Sequence, residues 1–467
     1  LCININNFNI KEIEMKNITK DKFSINDSLA FIIPSLIGIL LFMIPIKFNG
    51  EITIPIALMS KFLANLLGDY LTAIITLTVC ISAILSIIAR VFKPDFITKN
   101  EFLNTLFNVK PLWIISRTLG AVFCLLSLFN FGPEIIRSSG TGAFVLNDLL
   151  TILFTIFLFA GLLLPLLLNF GLLEFFGAIL TKIMRPVFTL PGRSSIDCIT
   201  SWLGDGTLGI LLTNKQYEEG FYSKREAAII STTFSAVSIT FSLIVIDTVG
   251  LSHLFIPFYV TVTLSGIVAA IILPRIYPLR KIPNTYYNNK EQKDDETIPN
   301  GHTSISWGYN KAIVKAGNNP GAKAFLIDGV KNVLDMWLGV LPVVMAFATI
   351  ALIIAEYTSV FQILGLPFIP FLNLLQVPEA IAASQTLVVG FADMLLPSVL
   401  AANSITSDMT KFIVACTSVS QLIYMSEVGG VLLGSKIPVS LKHLLIIFVE
   451  RTLITLPVIV LIANIIF

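Results

Sequence analysis

The chain has 467 residues, of which 55% are hydrophobic and only 13% are charged, and its mean hydropathy is +0.86. Soluble domains carry roughly 25% charged residues, so this composition excludes an ordinary soluble protein and indicates a polytopic protein embedded in a lipid bilayer. The formal net charge of +2 is small and the basic residues are dispersed, which argues against a nucleic-acid partner.

The N-terminal 28 residues are polar and are predicted to form a cytoplasmic segment. Residues 1–14 are rich in asparagine and precede Met15, so we interpret them as not native to the protein. The first apolar run starts near Leu29, is long enough to span a membrane and ends without a small-residue cleavage site, which is unlike a secretory signal. This run is therefore predicted to remain in the mature protein as its first helix.

A transmembrane helix needs about 20 predominantly apolar residues. The chain contains nine such runs, at residues 29–47, 68–90, 111–130, 144–168, 226–247, 253–275, 332–355, 411–434 and 443–466. Lysine and arginine cluster before the first run, after the second, before the fifth and after the sixth. Because such residues stay on the cytoplasmic side, we expect a multi-pass protein of the cell (inner or cytoplasmic) membrane with its N-terminus in the cytoplasm.

Two further stretches, residues 189–214 and 377–403, are apolar but broken near the middle by glycine, aspartate, serine or proline. Every backbone polar group at membrane depth needs an internal partner, so a break there persists only where it lines a cavity or is enclosed by protein. Paired breaks of this kind are typical of the binding site of a secondary transporter. The sequence therefore predicts two re-entrant helical hairpins.

Residues 144–275 and 332–467 follow one order of elements, which indicates an internal repeat. Residues 29–143 would then be a three-helix scaffold and residues 276–331 a cytoplasmic linker. Aligning the two broken segments pairs three polar positions, Asp197 with Gln385, Asp205 with Asp393 and Asn214 with Asn403. Each unit has three full crossings, an odd number, so the units are inverted. The predicted fold class is all-α, with about nine transmembrane helices and two re-entrant hairpins.

Three stretches carry a resemblance to a known family: T-L-P-G-R-S-S-I-D-C-I-T-S-W-L-G-D-G-T-L-G (189–209), K-R-E-A-A-I-I-S-T-T-F-S-A-V-S (224–238) and G-F-A-D-M-L-L-P (390–397). The chain resembles the YjiH-type membrane proteins with a Gate, or nucleoside-recognition, domain over most of residues 140–466. This domain also occurs in concentrative nucleoside transporters, a ferrous-iron transporter and spore maturation proteins. The resemblance implies a transporter-like architecture and says little about cargo.

Ionisable residues at membrane depth are costly and are functional candidates by default. Asp205 and Asp393 are the leading candidates for binding a substrate and a coupling ion. Glu427 is either a third coupling carboxylate or the partner of Arg451 in a structural ion pair. The alternative is that each aspartate caps a half-helix. Gly209 and its neighbouring glycines would let the backbone approach closely, while Pro397 would free a carbonyl in the second hairpin.

Hydroxyls and amides can bind a polar solute without the cost of fixed charge. The remaining substrate-binding candidates are of this type or flank the aspartates: Asp197, Gln385, Ser194, Ser195, Asn214, Asn403, Ser235, Ser238, Thr417, Ser420 and Gln421. The alternative is that serine and threonine hold membrane helices together or bond to their own backbone.

Nothing in the pattern favours an enzyme. The three histidines lie far apart, the five cysteines are scattered, and no nucleotide-binding G-x-x-x-x-G-K-[ST] loop occurs. We therefore expect no catalytic residues, no bound metal and no cofactor, with Na⁺ or H⁺ as the candidate coupling ion.

Two functions stay open. The favoured one is a secondary transporter of a small polar organic solute, such as a nucleoside, an amino-acid derivative or a short peptide, working by alternating access. The alternative is a non-transporting membrane scaffold or one subunit of a two-component Gate-domain complex. A homo-oligomer or a second Gate-domain subunit is the candidate protein partner.

Overall fold

The computed structural model describes residues 24–44, 46–48, 51–204, 206–234, 237, 239–289, 298–299, 301–318 and 321–467. The predicted non-native stretch 1–14 and the lysines before the first helix lie outside the described residues. Within them the structure is helical, as the composition predicts, with one short pair of antiparallel strands, Ile46–Phe48 with Glu51–Thr53.

The N-terminal region is built from helices that start at clear sequence signals. Ser24 closes a capping box with Asp27 at the start of the first helix, and proline occupies the first position of two others. The helices of this region are Ile25–Met43, Pro55–Leu67, Tyr70–Val91, Asp95–Thr98, Glu101–Phe107 and Pro111–Leu128.

The rest of the chain contains two successive sets of helices. The first set comprises Glu134–Arg137, Gly142–Phe144, Val145–Leu149, Leu150–Leu163, Pro165–Leu168, Leu172–Phe188, Ser194–Ile199, Thr200–Gly204, Gly206–Glu219, Lys224–Ile229, Ile230–Phe234, Ile239–Thr248, Ser252–Leu254, Phe255–Ile272 and Leu273–Arg275. The short turns Leu279–Lys281 and Tyr287–Asn289 follow. The second set comprises Ser304–Gly317, Ala322–Asp335, Met336–Val340, Leu341–Tyr357, Val360–Gly365, Leu366–Phe368, Ile369–Leu374, Ala380–Leu387, Val389–Phe391, Leu396–Ser404, Asp408–Gln421, Val428–Gly434 and Leu441–Ile466.

Both sets present the same order of elements from their long apolar helix onward. Each has a long helix (Glu134–Leu168 or Ala322–Tyr357), an amphipathic helical segment, a pair of short helices, an interrupted helix and a final continuous helix. The two long helices even share a π-helical turn, Val145–Leu149 in one and Met336–Val340 in the other.

Seven helices among the described residues are long and apolar enough to cross a membrane. Several leucines and isoleucines on their outer faces are more than half exposed, for example Leu77, Leu112 and Ile465, as is expected of side chains that face lipid. The chain is thus a multi-pass membrane protein.

Two of the nine predicted crossings are not continuous helices. In residues 226–247 the helical segments that end at Phe234 and begin at Ile239 flank Val237, which is not helical. In residues 411–434 it ends at Gln421 and resumes at Val428. We call these the first broken helix (224–248) and the second broken helix (408–434). The prediction of uninterrupted spans was wrong for these two runs. Hydropathy measures how apolar a stretch is, and it does not detect a backbone break whose polar groups are paired by other side chains.

The described part of the predicted linker, residues 276–331, includes helix Ser304–Gly317. Helix Ser304–Gly317 packs along Leu172–Phe188 and the first helix, burying Trp307 and Ile313. The contact is close because a Cβ on Gly308 would lie 2.8 Å from the Phe175 carbonyl oxygen. This helix therefore ties the N-terminal region to the first set.

Candidate functional site

The first hairpin consists of residues 194–219, in which helices Ser194–Ile199 and Gly206–Glu219 fold back on each other. Asp197 meets Thr213 across the pair, with 2.8 Å between Oδ2 and Oγ1. Nearer the tip, a Cβ on Gly209 would lie 2.6 Å from the Ser201 Cβ. The chain therefore reverses direction between Ser201 and Gly209. Asp205 itself lies outside the described residues.

Asp197 is buried inside this hairpin, with 1% of its surface exposed. Its Oδ1 atom has no hydrogen-bond partner among the described residues. The Tyr222 hydroxyl and the Arg193 guanidinium are close enough to influence its charge, and Arg193 is itself paired with Glu174 at 3.3 Å. Asp197 thus holds the two helices together, with the Tyr222 hydroxyl beside the carboxylate.

We expect Thr213→Val to destabilise the protein by about 1–3 kcal/mol, because it removes the hydroxyl donor and leaves a buried carboxylate poorly satisfied. Thermal unfolding of the purified protein in detergent measures the loss. Thr213→Ser keeps the hydroxyl and should stay close to the wild type. Equal unfolding temperatures for the valine and serine variants would contradict the assignment.

The second hairpin consists of residues 380–404, with helices Ala380–Leu387 and Leu396–Ser404 on either side of a tip. Its open end is closed by Glu379, whose carboxylate accepts hydrogen bonds from the backbone N–H groups of Thr406 and Ser407. Hydrogen bonding from Thr406 and Ser407 to this exposed carboxylate holds the pKa of Glu379 below its usual value.

Asp393 lies at the tip of the second hairpin. Its Oδ1 accepts the Leu395 N–H at 2.8 Å, and its Oδ2 accepts the Ser426 hydroxyl at 2.8 Å. The first bond is a local turn contact of the capping kind, and the second joins the tip to the break of the second broken helix. The capping and binding interpretations of Asp393 are therefore compatible.

The backbone reinforces this junction. Met425 N–H donates to the Phe391 carbonyl at 2.8 Å, and Ser426 N–H donates to the Ala392 carbonyl at 3.0 Å. Chain that leaves a helix at membrane depth must pair its polar groups internally. The hairpin tip and the break of the broken helix satisfy each other in this way.

The carbonyl groups at the end of helix Asp408–Gln421 are also capped by side chains. The Tyr424 hydroxyl contacts the Ser418 and Val419 carbonyl oxygens at 2.8 and 2.7 Å. Leu422 turns the chain away with a φ of +62°. The last carbonyls of a helix have no partner within it, so these contacts stabilise the break.

Arg451, in the final helix Leu441–Ile466, connects both broken helices. Its Nη1 donates to the Thr233 carbonyl of the first at 2.9 Å, and its Nε donates to the Ser420 carbonyl of the second. A cavity of about 30 Å³ beside it is lined partly by Trp202 of the first hairpin. The two sets of helices therefore meet at this guanidinium.

A larger cavity of about 200 Å³ adjoins Asp393. Its walls are mostly apolar, with Leu352 and Val399 among them, and its polar lining includes Glu356 and Gln362. The Gln362 Oε1 atom is buried and has no hydrogen-bond partner among the described residues. The cavity thus offers hydrogen-bond acceptors in an apolar chamber at a hairpin tip.

A third cavity, of about 110 Å³, lies at the polar end of the first hairpin. Asn214 accepts the Lys436 N–H there at 2.8 Å and so links the two sets of helices. Burial, together with Asp335, raises the pKa of the neighbouring Glu218 to about 7, against the lowering effect of Lys436 and Lys215.

Because the folded-state pKa of Glu218 is raised, ionisation disfavours the folded state. Stability from the protonated form is present below about pH 4.5 and is lost as the pH rises through about 7. Relative to the wild type, we expect the free energy of unfolding of Glu218→Gln to increase by on the order of 1–2 kcal/mol as the pH rises from 5 to 8, allowing for screening of a partly exposed group. Unfolding temperatures of both proteins across this range measure it, and a constant difference would contradict the assignment.

The structure separates the predicted site residues into groups. Gln385 and Asn403 are exposed, so the alignment with Asp197 and Asn214 does not carry over to their surroundings. Their hairpin is shorter and turns these faces outward. Ser194 and Ser195 are buried, but their hydroxyls donate to the Pro191 and Gly192 carbonyls just before them.

The predicted site residues of the second broken helix are held by hydrogen bonds to neighbouring helices or to their own helix. Ser420 contacts Ser265 at 3.0 Å, Gln421 donates to Leu387 and Thr452 at 2.9 Å each, and Thr417 bonds back to its own helix. Glu427 directly precedes helix Val428–Gly434 at the end of the break. Ser235 and Ser238 lie outside the described residues.

Sequence reasoning missed the contacts that stabilise the breaks. It treated Arg451 as one member of a structural ion pair and did not single out Tyr424 or Ser426. The available signal was an arginine in the middle of an apolar helix, since such a charge needs polar partners within the membrane.

Crossing-length helices, two helical hairpins and two broken helices joined at a buried arginine define a multi-pass membrane protein of transporter-like architecture. A family profile described as Gate, nucleoside recognition, matches residues 150–252, which include the first hairpin and the first broken helix. A protein of Alkalihalophilus pseudofirmus described as uncharacterized is 48% identical over 462 residues, 98% of this chain and 100% of the relative. The chain therefore belongs to one family with this relative, and its residues 150–252 match the Gate, nucleoside-recognition, profile. No solved structure matches it.

Proposed function

We propose that the protein is a secondary transporter of a small polar organic solute. The observation that carries the proposal is the junction of the second hairpin with the second broken helix, where Asp393 accepts the Ser426 hydroxyl beside a cavity of about 200 Å³. Non-helical backbone next to a cavity at membrane depth is what a carrier needs to bind a polar solute.

The equal order of elements in the two sets supports an inverted repeat, because each set would present an odd number of crossings. In this proposal both hairpins re-enter the membrane, the first from the cytoplasm and the second from outside. The repeats rock about the junction at Arg451, which alternately exposes the solute site to each side. The N-terminus is cytoplasmic and the membrane is the cell membrane.

The solute class follows from the lining. Asp393, Glu356 and Gln362 supply acceptors while most of the other walls are apolar, which suits a nucleoside, an amino-acid derivative or a short peptide with donor groups. Asp205, Asp393 and Glu427 are the proposed coupling carboxylates for Na⁺ or H⁺, and no catalytic step is assigned to any residue.

Counterflow in proteoliposomes tests the proposal. Purified protein is reconstituted into vesicles loaded with uridine, alanine or alanyl-alanine, and uptake of the same radiolabelled compound is measured. A carrier gives saturable, transient accumulation of at least one compound above that of protein-free vesicles. Flux without saturation would indicate a channel, and no flux over a wider panel of nucleosides, amino acids and dipeptides would favour a scaffold or a subunit that needs a second chain.

A further inference from the structure

Arg451 is among the most buried side chains of the protein, with 2% of its surface exposed. It lies well inside the helix Leu441–Ile466, which is long and apolar enough to span the membrane. A positive charge at such a depth is costly unless nearby groups of opposite charge or dipole compensate for it.

The compensation comes from two helix ends. Thr233 lies in the last described turn before Val237, which is not helical, and Ser420 is the penultimate residue of Asp408–Gln421. Both carbonyls accept hydrogen bonds from Arg451. The C-terminal end of a helix carries a partial charge of about −0.5, so two such ends together balance roughly one positive charge.

Carboxylates do not provide this balance among the described residues, where none lies within ion-pair distance of Arg451. Glu450 is adjacent in sequence, but its Oε2 atom has no hydrogen-bond partner in the described part of the chain. Among the described residues, the guanidinium is held by backbone carbonyls and helix dipoles.

In carriers built from broken helices, the unwound carbonyls and half-helix C-terminal ends are suited to coordinate a cation such as Na⁺. We propose that Arg451 is a tethered cation that permanently occupies this position between the two broken helices. The protein therefore binds no Na⁺ here, and a coupling ion is left to the hairpin carboxylates. Only this last consequence rests on the proposed function.

The space around Arg451 makes the proposal testable. The neighbouring cavity of about 30 Å³ is too small for a solute, but it joins the space that a truncated side chain would vacate. Arg451→Ala should create a carbonyl-lined site that admits a free guanidinium ion. Arg451→Met removes the charge but fills the space, so it is the matched control.

The experiment is thermal unfolding of the purified full-length chain in detergent, in NaCl or choline chloride, with and without about 10 mM guanidinium chloride, well below denaturing concentrations. We expect the wild type to unfold at the same temperature in both salts. Both variants should unfold several degrees lower, and guanidinium should restore only Arg451→Ala, saturably, as a ligand of the folded state does.

Several results would overturn the proposal. One is a saturable stabilisation of the wild type by NaCl over choline chloride that the Arg451 variants lose. Another is equal destabilisation of the alanine and methionine variants with no response to guanidinium, which would make Arg451 a structural cap only. If Arg451→Ala does not fold, the unfolding temperatures of Arg451→Lys and Arg451→Gln test the proposal instead. The tethered cation requires the lysine variant to be the more stable, and equal stability would refute it.

This readout needs no solute. An absence of counterflow with the expected guanidinium response would remove the transport function and leave the tethered cation in place. Counterflow without the guanidinium response would support the transport function and refute the tethered cation.

Discussion

Replacing Asp393 by asparagine should abolish saturable counterflow while leaving the protein folded. Asparagine has nearly the same shape, and its Oδ1 can still accept the Leu395 N–H, while Ser426 can accept from the new amide. What is lost is the negative charge at the hairpin tip. We expect uptake of the transported probe to fall by roughly tenfold or more, equivalent to at least about 1.4 kcal/mol of binding.

Asp408→Asn is the matched control, because Asp408 is an exposed carboxylate in the first turn of the next helix. It should transport like the wild type. Thermal unfolding of both variants separates loss of function from loss of fold. Normal counterflow in Asp393→Asn would remove this residue from the solute and coupling sites and reduce it to a helix cap.

The breaks in the two hairpins could be predicted from the sequence, because glycine, aspartate and proline interrupt otherwise apolar runs. These residue types act locally: glycine frees the backbone, and proline removes a donor. In the structure the chain reverses direction between Ser201 and Gly209 in the first hairpin and near Asp393 in the second.

The breaks in the two broken helices could not be predicted in the same way. The first segment of the second broken helix ends at Gln421, and residues 422–427 of the break contain no glycine or proline. The freed carbonyls are capped by Tyr424 and by Arg451 from another helix. A tertiary contact across about 30 residues leaves no trace in a hydropathy pattern. Only the presence of an arginine in an apolar helix pointed to it.

The candidate residues show the limits of aligning the two sets of helices by sequence alone. The match of Asp197 with Gln385 is correct in spacing, but Asp197 is buried against Thr213 while Gln385 is exposed. Equivalent positions in sequence share a place along a helix, and the packing of neighbouring helices decides which face is covered.

Gly209→Val should be the most destabilising single substitution in the first hairpin. A Cβ at this position would lie 2.6 Å from the Ser201 Cβ and 3.1 Å from the Asp197 carbonyl oxygen, so the helices must separate. Separation also stretches the contact between Asp197 and Thr213. We expect a loss of roughly 3 kcal/mol or more, at the upper end of what overpacking costs, measured by thermal unfolding and by the yield of monodisperse protein.

Gly317→Val introduces the same side chain at a helical glycine where no atom lies within 4 Å of the added Cβ, so it should change stability little. Gly209→Ala should fall between the two, because a single methyl group already violates the distance to Ser201. If Gly209→Val were as stable as Gly317→Val, the two helices of the first hairpin could not be packed face to face. Asp197 would then no longer be enclosed, and its place in the solute site would have to be abandoned.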